Sequence, residues 1–142
     1  MQIFELIYYS IASPALNRND ISDILESSHK NNPKKELTGC LLYHKDAFIQ
    51  ILEGEKDVIE SLFLKIEHDQ RHYNVRRIYD DTKEDRLFKD WSMAFFDLDK
   101  DDTVDKSKII YRQAFSEILN QTEPSTVASQ LFWNISHQLL DE

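Results

Sequence analysis

Two short apolar runs, separated by four residues, dominate the first half of the chain. The runs are Cys40–Tyr43 and Phe48–Leu52, and the only two glycines of the sequence, Gly39 and Gly54, flank them. Apolar runs of this length, joined by a short polar loop, are typical of a β-hairpin. We therefore expect a hairpin at the centre of the fold, with the rest of the chain built around it.

One residue of this hairpin does not follow its apolar pattern. Because side chains alternate between the two faces of a strand, Gln50 shares its face with Phe48 and Leu52. An uncharged amide among apolar neighbours needs a hydrogen-bond partner if it is buried. The identity of that partner is the main functional question that the hairpin raises.

Strands and helices alternate on both sides of the hairpin. Ile3–Tyr9 is apolar and β-rich, and a helical period then continues to about Lys30. A second helical period covers Glu55–Asp69, and two more strands are predicted at Val75–Asp80, charged enough for a sheet edge, and at Trp91–Phe96. The order β-α-β-β-α-β-β predicts an α+β, ferredoxin-like sandwich with one added strand.

The character of the chain changes after residue 97. An acidic linker, Asp97–Asp105, precedes two predicted helices, Ser107–Asn120 and Pro124–Leu140. The second helix has an apolar residue at every fourth position, and a two-layer sandwich leaves one sheet face bare. We therefore expect residues 1–97 to form one domain, and residues 98–142 to form a two-helix extension that covers the other sheet face.

Composition disfavours several classes of function. A formal net charge of −9 argues against a nucleic-acid partner, since phosphate backbones select basic surfaces. The single cysteine, Cys40, excludes an internal disulfide and a cysteine zinc site, and we expect no metal. The sequence has no apolar run near ~18 residues and no signal-peptide pattern, so we expect a cytoplasmic protein without a membrane partner.

Motifs for phosphate binding and hydrolysis are missing as well. Two glycines cannot build a Gly-x-Gly-x-x-Gly or Walker-type loop, so a nucleotide-like ligand must be held without a glycine-rich cradle. Asn31 and Asn32 follow the first helix, either as its C-terminal turn or as an amide pair that suits the edge of an imide-type heterocycle. A small acylphosphatase-like hydrolase and a structural oligomerisation module remain open alternatives at this point.

Six segments of the first two thirds of the chain form a recognisable set. They are Leu6-Ile7-Tyr8-x-Ser10, Asn31-Asn32, Thr38-Gly39-x-Leu41-Leu42-Tyr43, Phe48-x-Gln50-x-Leu52-Glu53-Gly54, Asp69-x-Arg71-His72 and Trp91-Ser92-Met93. No single segment is specific, but in this order the six together resemble the BLUF family, blue-light sensors that use flavin. The resemblance spans about residues 1–97.

The resemblance implies a noncovalently bound FAD between the two helices of the sandwich. It assigns Tyr8 and Gln50 to the photoactive pair, and Trp91 and Met93 to the onward transmission of the change, leaving open which of these last two is turned inward. The residues that it assigns to flavin binding are Ile24, Ser28, Asn31, Asn32, Gln50, Lys65, Ile66, Asp69, Arg71 and His72. Within this set, the resemblance implies that Ile24 and Ile66 sandwich the ring and that Lys65 lies near the phosphates.

The implied activity is photochemical, so we expect no enzyme and no catalytic residues. Light would drive electron and proton transfer between Tyr8, Gln50 and flavin, and the amide would end rotated or tautomerised. The chain has no room for a cyclase or phosphodiesterase output domain. We therefore expect a short BLUF photoreceptor, a homo-oligomer, that signals through its C-terminal helices to a separate protein partner.

Overall fold

The structure, a computed structural model, describes residues 2–44, 46–86, 88, 94–97 and 127–140. Its strands are β1 (Ile3–Ala12), β2 (Thr38–His44), β3 (Ala47–Gly54), β4 (His72–Lys83) and β5 (Ala94–Asp97), and its helices are α1 (Arg18–Asn31), α2 (Lys56–Glu67) and α3 (Val127–Leu140). A short 3-10 turn, Pro33–Lys35, connects α1 to β2. None of the helices in these ranges has the length and apolar character needed to cross a membrane.

The five strands form one sheet in the order β4-β1-β3-β2-β5. Neighbouring strands are antiparallel except for β2 and β5, which are parallel. This arrangement confirms the predicted α+β, ferredoxin-like sandwich. It also places the charged strand β4 at the sheet edge, as its composition predicted.

Strands β1 to β4 are all longer than their sequence patterns indicated, most clearly β1 and β4. β1 continues past Tyr9 to Ala12, because Ile11 still pairs with Ala47 on one side and Tyr73 on the other. β4 pairs along the whole of β1, but most of its side chains are exposed. An exposed edge strand has no alternating apolar signal, so its ends could not be read from the sequence.

One face of the sheet packs against α1 and α2. Leu6 and Leu52 from the central strands are fully buried there against Ile59 and Phe63 of α2, and Ile24 of α1 packs at the side of this cluster. Full burial of a large apolar side chain stabilises a fold by roughly 1.5–3 kcal/mol. The core is therefore concentrated under α2, with a slot between the two helices.

The opposite face carries the other half of the alternating pattern. Ile7, Ile49 and Ile51 belong to that face and are fully buried, and α3 packs against strands β1 to β4. Phe132 of α3 is fully buried as well. Helix α3 thus covers the second face, as predicted for the last C-terminal helix, whereas the predicted helix Ser107–Asn120 lies outside the described residues.

Candidate functional site

A cavity of about 330 Å³ lies between α1, α2 and the sheet. Apolar side chains and polar side chains both reach its surface, the former from the sheet and the helices, the latter mainly from the residues at and beyond the helix ends. The lining residues are Tyr8, Ile24, Ser27, Asn31, Asn32, Lys35, Leu41, Phe48, Gln50, Leu62, Lys65, Ile66, Asp69, Arg71 and His72. An apolar slot with a few convergent polar groups is the usual form of a small-molecule site.

Two polar side chains meet on the sheet side of this cavity. The antiparallel register of β1 and β3 places Tyr8 directly opposite Gln50, and the phenol donates a hydrogen bond of 2.5 Å to the amide oxygen Oε1. Both residues are buried. In this orientation of the amide, Oε1 accepts from the phenol. The amide nitrogen of Gln50 is its hydrogen-bond donor.

The backbone around Tyr8 is irregular on the side of β4. The register between β1 and β4 shifts between Ile7 and Tyr8, and again between Tyr9 and Ile11. Such bulges re-aim side chains and are common beside functional sites. The ring of Tyr8 also contacts the ring of Phe63, with centroids 5.6 Å apart, so the phenol is held from the helix side as well.

Electrostatics keep the Tyr8 phenol neutral. Burial raises its pKa well above the ordinary value, because the phenolate loses its hydration, and the negative charge of Asp69 raises the pKa further. The phenol therefore remains a hydrogen-bond donor to Gln50 throughout the physiological pH range.

His72 connects the sheet to the end of α2. Its Nδ1 lies 2.8 Å from the hydroxyl oxygen of Ser10, and its Nε2 hydrogen-bonds the backbone carbonyl of Ile66. Because a carbonyl only accepts, Nε2 carries the proton, and in the neutral ring Nδ1 accepts from Ser10. The ring packs edge-to-face on Tyr8 and Phe48, both at 6.4 Å between centroids. His72 thereby fixes the backbone of one wall of the cavity.

An ion pair lies at the polar end of the cavity. The guanidinium of Arg71 bonds both carboxylate oxygens of Asp69, with Nε 2.9 Å from Oδ1 and Nη2 2.5 Å from Oδ2. These hydrogen bonds hold the pKa of Asp69 below its ordinary value and raise the pKa of Arg71. Asp69 therefore orients the guanidinium of Arg71, which lines the cavity.

The two asparagines after α1 have different surroundings. Asn31 is exposed and donates from its amide to the hydroxyl of Ser27 at 3.2 Å. Asn32 is buried, and its backbone carbonyl accepts from the backbone N–H groups of Lys35 and Leu37. The backbone of Asn32 thus builds the turn, while its side chain lines the cavity. The interpretation as a turn is confirmed for Asn32, whereas the interpretation as an amide pair that binds a heterocycle stays a prediction.

Most of the predicted site residues come together at this cavity. Ser28 lies in α1, but its side chain is outside the described part of the structure, and Trp91 and Met93 lie outside the described residues altogether. The role of each residue toward a bound flavin stays a prediction.

Sequence reasoning missed several lining residues. Ser27 and Leu62 lie one helical turn from Ile24 and Ile66, so helical spacing from the predicted ring contacts would have found them. No local pattern points to Lys35, which reaches the cavity because of the 3-10 turn. The full set that was missed is Ser27, Lys35, Leu41, Phe48 and Leu62.

Comparison with known proteins explains this arrangement. A family model described as sensors of blue light using FAD matches residues 3–94. The chain belongs to the BLUF family. The matched segment is therefore a flavin-based blue-light sensor, and the resemblance inferred from the six segments is confirmed. The acylphosphatase-like alternative is not supported.

Among curated relatives, the chain is similar to photoactivated adenylate cyclase subunits of Euglena gracilis. It is 33% identical to a beta subunit over 90 residues, which cover 63% of this chain and 10% of that protein. It is 34% identical to an alpha subunit over 87 residues, or 61% of this chain and 8% of the subunit. The chain thus matches about a tenth of the length of these relatives.

Solved BLUF structures show the same fold. The dark-state structure of the BLUF protein BlrB superimposes with a TM-score of 0.71 at 28% identity, covering 97% of this chain and 98% of BlrB. Klebsiella pneumoniae BlrP1, in a complex with FMN and cyclic diGMP, superimposes with a TM-score of 0.74 at 29% identity, covering 98% of this chain and 35% of BlrP1. The first neighbour is of the same length as this chain, and the second is much longer.

The residues of the cavity fit a flavin. Its planar ring system needs apolar contacts, and the apolar side chains of Ile24 and Ile66, one from each helix, line the cavity. Its heteroatom edge needs donors and acceptors, and the polar residues Gln50, Asn32 and Arg71 also line the cavity. The BLUF cavity therefore has the donor set that the cofactor's chemistry requires.

Proposed function

We propose that this protein is a cytoplasmic blue-light photoreceptor that binds FAD noncovalently and signals by rearranging the hydrogen bonds of Gln50. The observation that carries the proposal is the bond of 2.5 Å from the Tyr8 phenol to Oε1 of Gln50. A buried phenol and a buried amide that bond each other beside a flavin-sized slot are the parts needed for light-driven proton movement. The description of the matched family supports the same function.

The cavity is small for a whole dinucleotide. About 330 Å³ lies near the lower end of the range of roughly 300–1,000 Å³ for drug-sized ligands. The isoalloxazine ring would fill it, and the ribityl and phosphate groups would extend past its mouth. Lys35 and Lys65, both exposed and both in the lining, are the cations that would meet the phosphates. This accounts for phosphate binding without a glycine-rich loop.

Bound flavin would supply two properties, absorption of blue light and acceptance of one electron when excited. Tyr8 would be the donor of that electron, and its hydrogen bond to Oε1 of Gln50 would be the path by which the proton of the oxidised phenol leaves. Return of an electron and of a proton, not necessarily the same proton, would restore Tyr8, so no substrate would be consumed. The amide of Gln50 is left rotated or tautomerised, with its donor and acceptor groups exchanged.

Because Gln50 is buried, an exchange of the donor and acceptor groups of its amide would change the hydrogen bonds inside the protein. Gln50 is only 6% exposed, so an amide that has turned cannot satisfy its groups with bulk water. It must instead form a different set of bonds with its buried neighbours. The altered bonds would persist until the amide reverts, which gives the protein a lit state with a lifetime.

The signal needs an effector. The relatives are photoactivated adenylate cyclases, and BlrP1 is described with cyclic diGMP, but this chain matches only a small part of each. We propose that residues 98–142 form a helical extension that passes the light signal to a separate effector protein. Helix α3, which packs against four strands of the sheet, is the described part of that extension.

A visible spectrum before and after blue light tests the proposal. The purified protein, reconstituted with FAD, should be yellow, and illumination should shift its absorption bands slightly to the red, with reversal in darkness. Titration with FAD and FMN in parallel distinguishes the two flavins by affinity. A protein that stays colourless with either flavin, or that binds flavin without a reversible shift, contradicts the proposal.

A further inference from the structure

Strand β3 carries a second buried polar residue, Glu53, three positions after Gln50. Because side chains alternate along a strand, Glu53 belongs to the face opposite the cavity. Its side chain is 0% exposed. A carboxylate this deeply buried is stable only if its oxygens are hydrogen-bonded or paired with a cation.

Glu53 meets this requirement through three elements of the fold. Its Oε2 pairs with the ammonium of Lys83, which also lies 2.7 Å from Oε2 of Glu5. Its Oε1 accepts from the hydroxyl of Thr38 at 2.8 Å and from the backbone N–H of Phe88 at 2.9 Å. One carboxylate therefore joins β2, the end of β4 and the segment that follows β4.

That segment is attached to β3 at a second point. Arg86 donates from Nη1 to the backbone carbonyl of Glu53 at 3.2 Å and to the hydroxyl of Thr38 at 3.0 Å. Arg86 and Phe88 are therefore both hydrogen-bonded to β3, the strand that holds Gln50. A displacement of β3 at Glu53 would move both of them.

Phe88 extends the connection to the C-terminal helix. Its ring packs against the ring of Phe132 on α3, with centroids 6.4 Å apart and planes at 73°. Both rings are fully buried. Close-packed interiors transmit small displacements because there is no free space to absorb them. The contacts therefore run from Gln50 along β3 to Glu53, then to Phe88, and then to Phe132.

We propose that Glu53 is a positioning residue that couples the light-dependent change at Gln50 to helix α3 through Phe88 and Phe132. The inference rests on the proposed function, since it needs a light-dependent change at Gln50. It assigns to Glu53 a role in signal output, distinct from any role in binding flavin. A merely structural carboxylate would stabilise the sheet equally in darkness and in light.

The experiment compares hydrogen–deuterium exchange of the flavin-loaded full chain in darkness and under blue light. In the wild type, light should change the exchange of peptides from residues 127–140. Glu53→Gln weakens the charge-assisted bond to Phe88, and Phe88→Leu removes the ring contact with Phe132. Both variants should keep the red shift, whereas the light-induced change in α3 should fall by about fivefold or more, as expected for a coupling of this kind.

A matched control is Glu60→Gln, which makes the same chemical change at a partly exposed ion pair with Arg77. It should keep both the red shift and the full response of α3. If Glu53→Gln does not fold, Phe88→Leu decides, because it leaves the carboxylate cluster and the backbone N–H intact.

The outcomes separate this inference from the proposed function. Variants with a normal red shift and an undiminished light response of α3 overturn the coupling alone. A wild type with a red shift but no light response in residues 127–140 overturns it too. A wild type without any red shift removes the proposed function and the coupling with it.

Discussion

The phenol of Tyr8 and the amide of Gln50 lie 42 positions apart in the chain and form a hydrogen bond of 2.5 Å in the buried part of the sheet. The antiparallel register of β1 and β3 pairs the two residues directly. Each side chain satisfies the other in a place where water is excluded. Truncating one partner therefore leaves a buried polar group of the other without this bond.

Replacing Tyr8 with phenylalanine tests the photochemical part of the pair. The ring keeps its contact with Phe63, but the phenol hydroxyl, which belongs to the proposed electron and proton donor, is lost. We expect Tyr8→Phe to bind flavin, to show no red shift, and to lose about 1–3 kcal/mol of unfolding free energy because Oε1 of Gln50 loses its donor. Light-minus-dark spectra and urea unfolding measure the two effects.

Tyr73→Phe is the control for that variant. Tyr73 lies on the edge strand β4 and is 47% exposed, so solvent reaches its side chain, unlike that of the buried Tyr8. The control should keep the full red shift. A full red shift in Tyr8→Phe would show that the phenol is dispensable.

The raised pKa of Tyr8 predicts how the protein responds to alkali. Burial, together with the charge of Asp69, holds the proton on the folded phenol beyond the ordinary pKa near 10. The red shift should keep its amplitude up to about pH 10, where an exposed tyrosine is half ionised. A fall in amplitude in step with ordinary tyrosine ionisation, while flavin stays bound, would contradict this prediction.

The same pKa has a consequence for stability. Because the folded state holds the proton more tightly than the unfolded chain, the contribution is fully present below the ordinary tyrosine pKa. It is lost as the pH rises toward the higher folded value. Unfolding free energy should therefore fall above about pH 10 in the wild type and less so in Tyr8→Phe. Urea unfolding across this range measures the difference.

The ion pair of Asp69 and Arg71 predicts an acid limit for flavin binding. Hydrogen bonds from Arg71 lower the pKa of Asp69, so the stabilisation is fully present above the ordinary aspartate value and is lost as the pH falls through the lower folded value. The contribution of this pair to flavin affinity should therefore be constant from pH 8 to about pH 5 and should weaken only below about pH 4.

Asp69→Asn should reproduce part of that loss at neutral pH. Both side chains of the pair are about one third exposed, at 30% and 38%, so solvent screens their interaction. A contribution of about 0.5–1 kcal/mol corresponds to a roughly two- to fivefold weaker affinity. Asp80→Asn, at the exposed pair with Arg77, is the control. Equal affinities for Asp69→Asn and the wild type would exclude a role for the pair in holding the cofactor.

The order of strands and helices could be predicted from the sequence because the hydrophobic periods that indicate them are local signals. Alternation along β3 identified Gln50 as the polar residue of an apolar face, and the helical periods fixed the positions of α1 and α2. A bond between Tyr8 and Gln50 required neighbouring strands and a shared face, and the structure meets both conditions. The register itself was beyond the sequence, since no local pattern says which residue of β1 faces which residue of β3.

The hydrogen-bond partners of Glu53 could not be predicted from the sequence for the same reason. The residue is part of a recognised segment, but its partners Thr38, Lys83 and Phe88 lie 15, 30 and 35 positions away. A carboxylate in a strand is equally compatible with an exposed position. Glu53 is buried and fully bonded only because three distant segments of the chain pack around it. The roles of Trp91 and Met93 stay predictions, since both lie outside the described residues.

His72 provides the last prediction, because it joins the hydroxyl of Ser10 on β1 to the carbonyl of Ile66 on α2. His72→Phe keeps an aromatic ring against Tyr8 and removes both hydrogen bonds. The end of α2 should loosen, with a loss of about 1–3 kcal/mol of unfolding free energy. Flavin should dissociate faster, because Ile66 forms one wall of the cavity, while the size of the red shift should persist.

Two further variants of the histidines make this prediction specific. His72→Gln retains a polar group that is able to replace one of the two bonds, so it should recover part of the slow flavin release. His68→Phe is the control, since His68 is exposed and bonds a carbonyl of its own helix, that of Leu64 at 2.7 Å. Flavin release should follow the order His68→Phe and wild type slowest, His72→Gln intermediate and His72→Phe fastest. Equal release rates for His72→Phe and His68→Phe would show that the contact between β1 and α2 does not control the cavity wall.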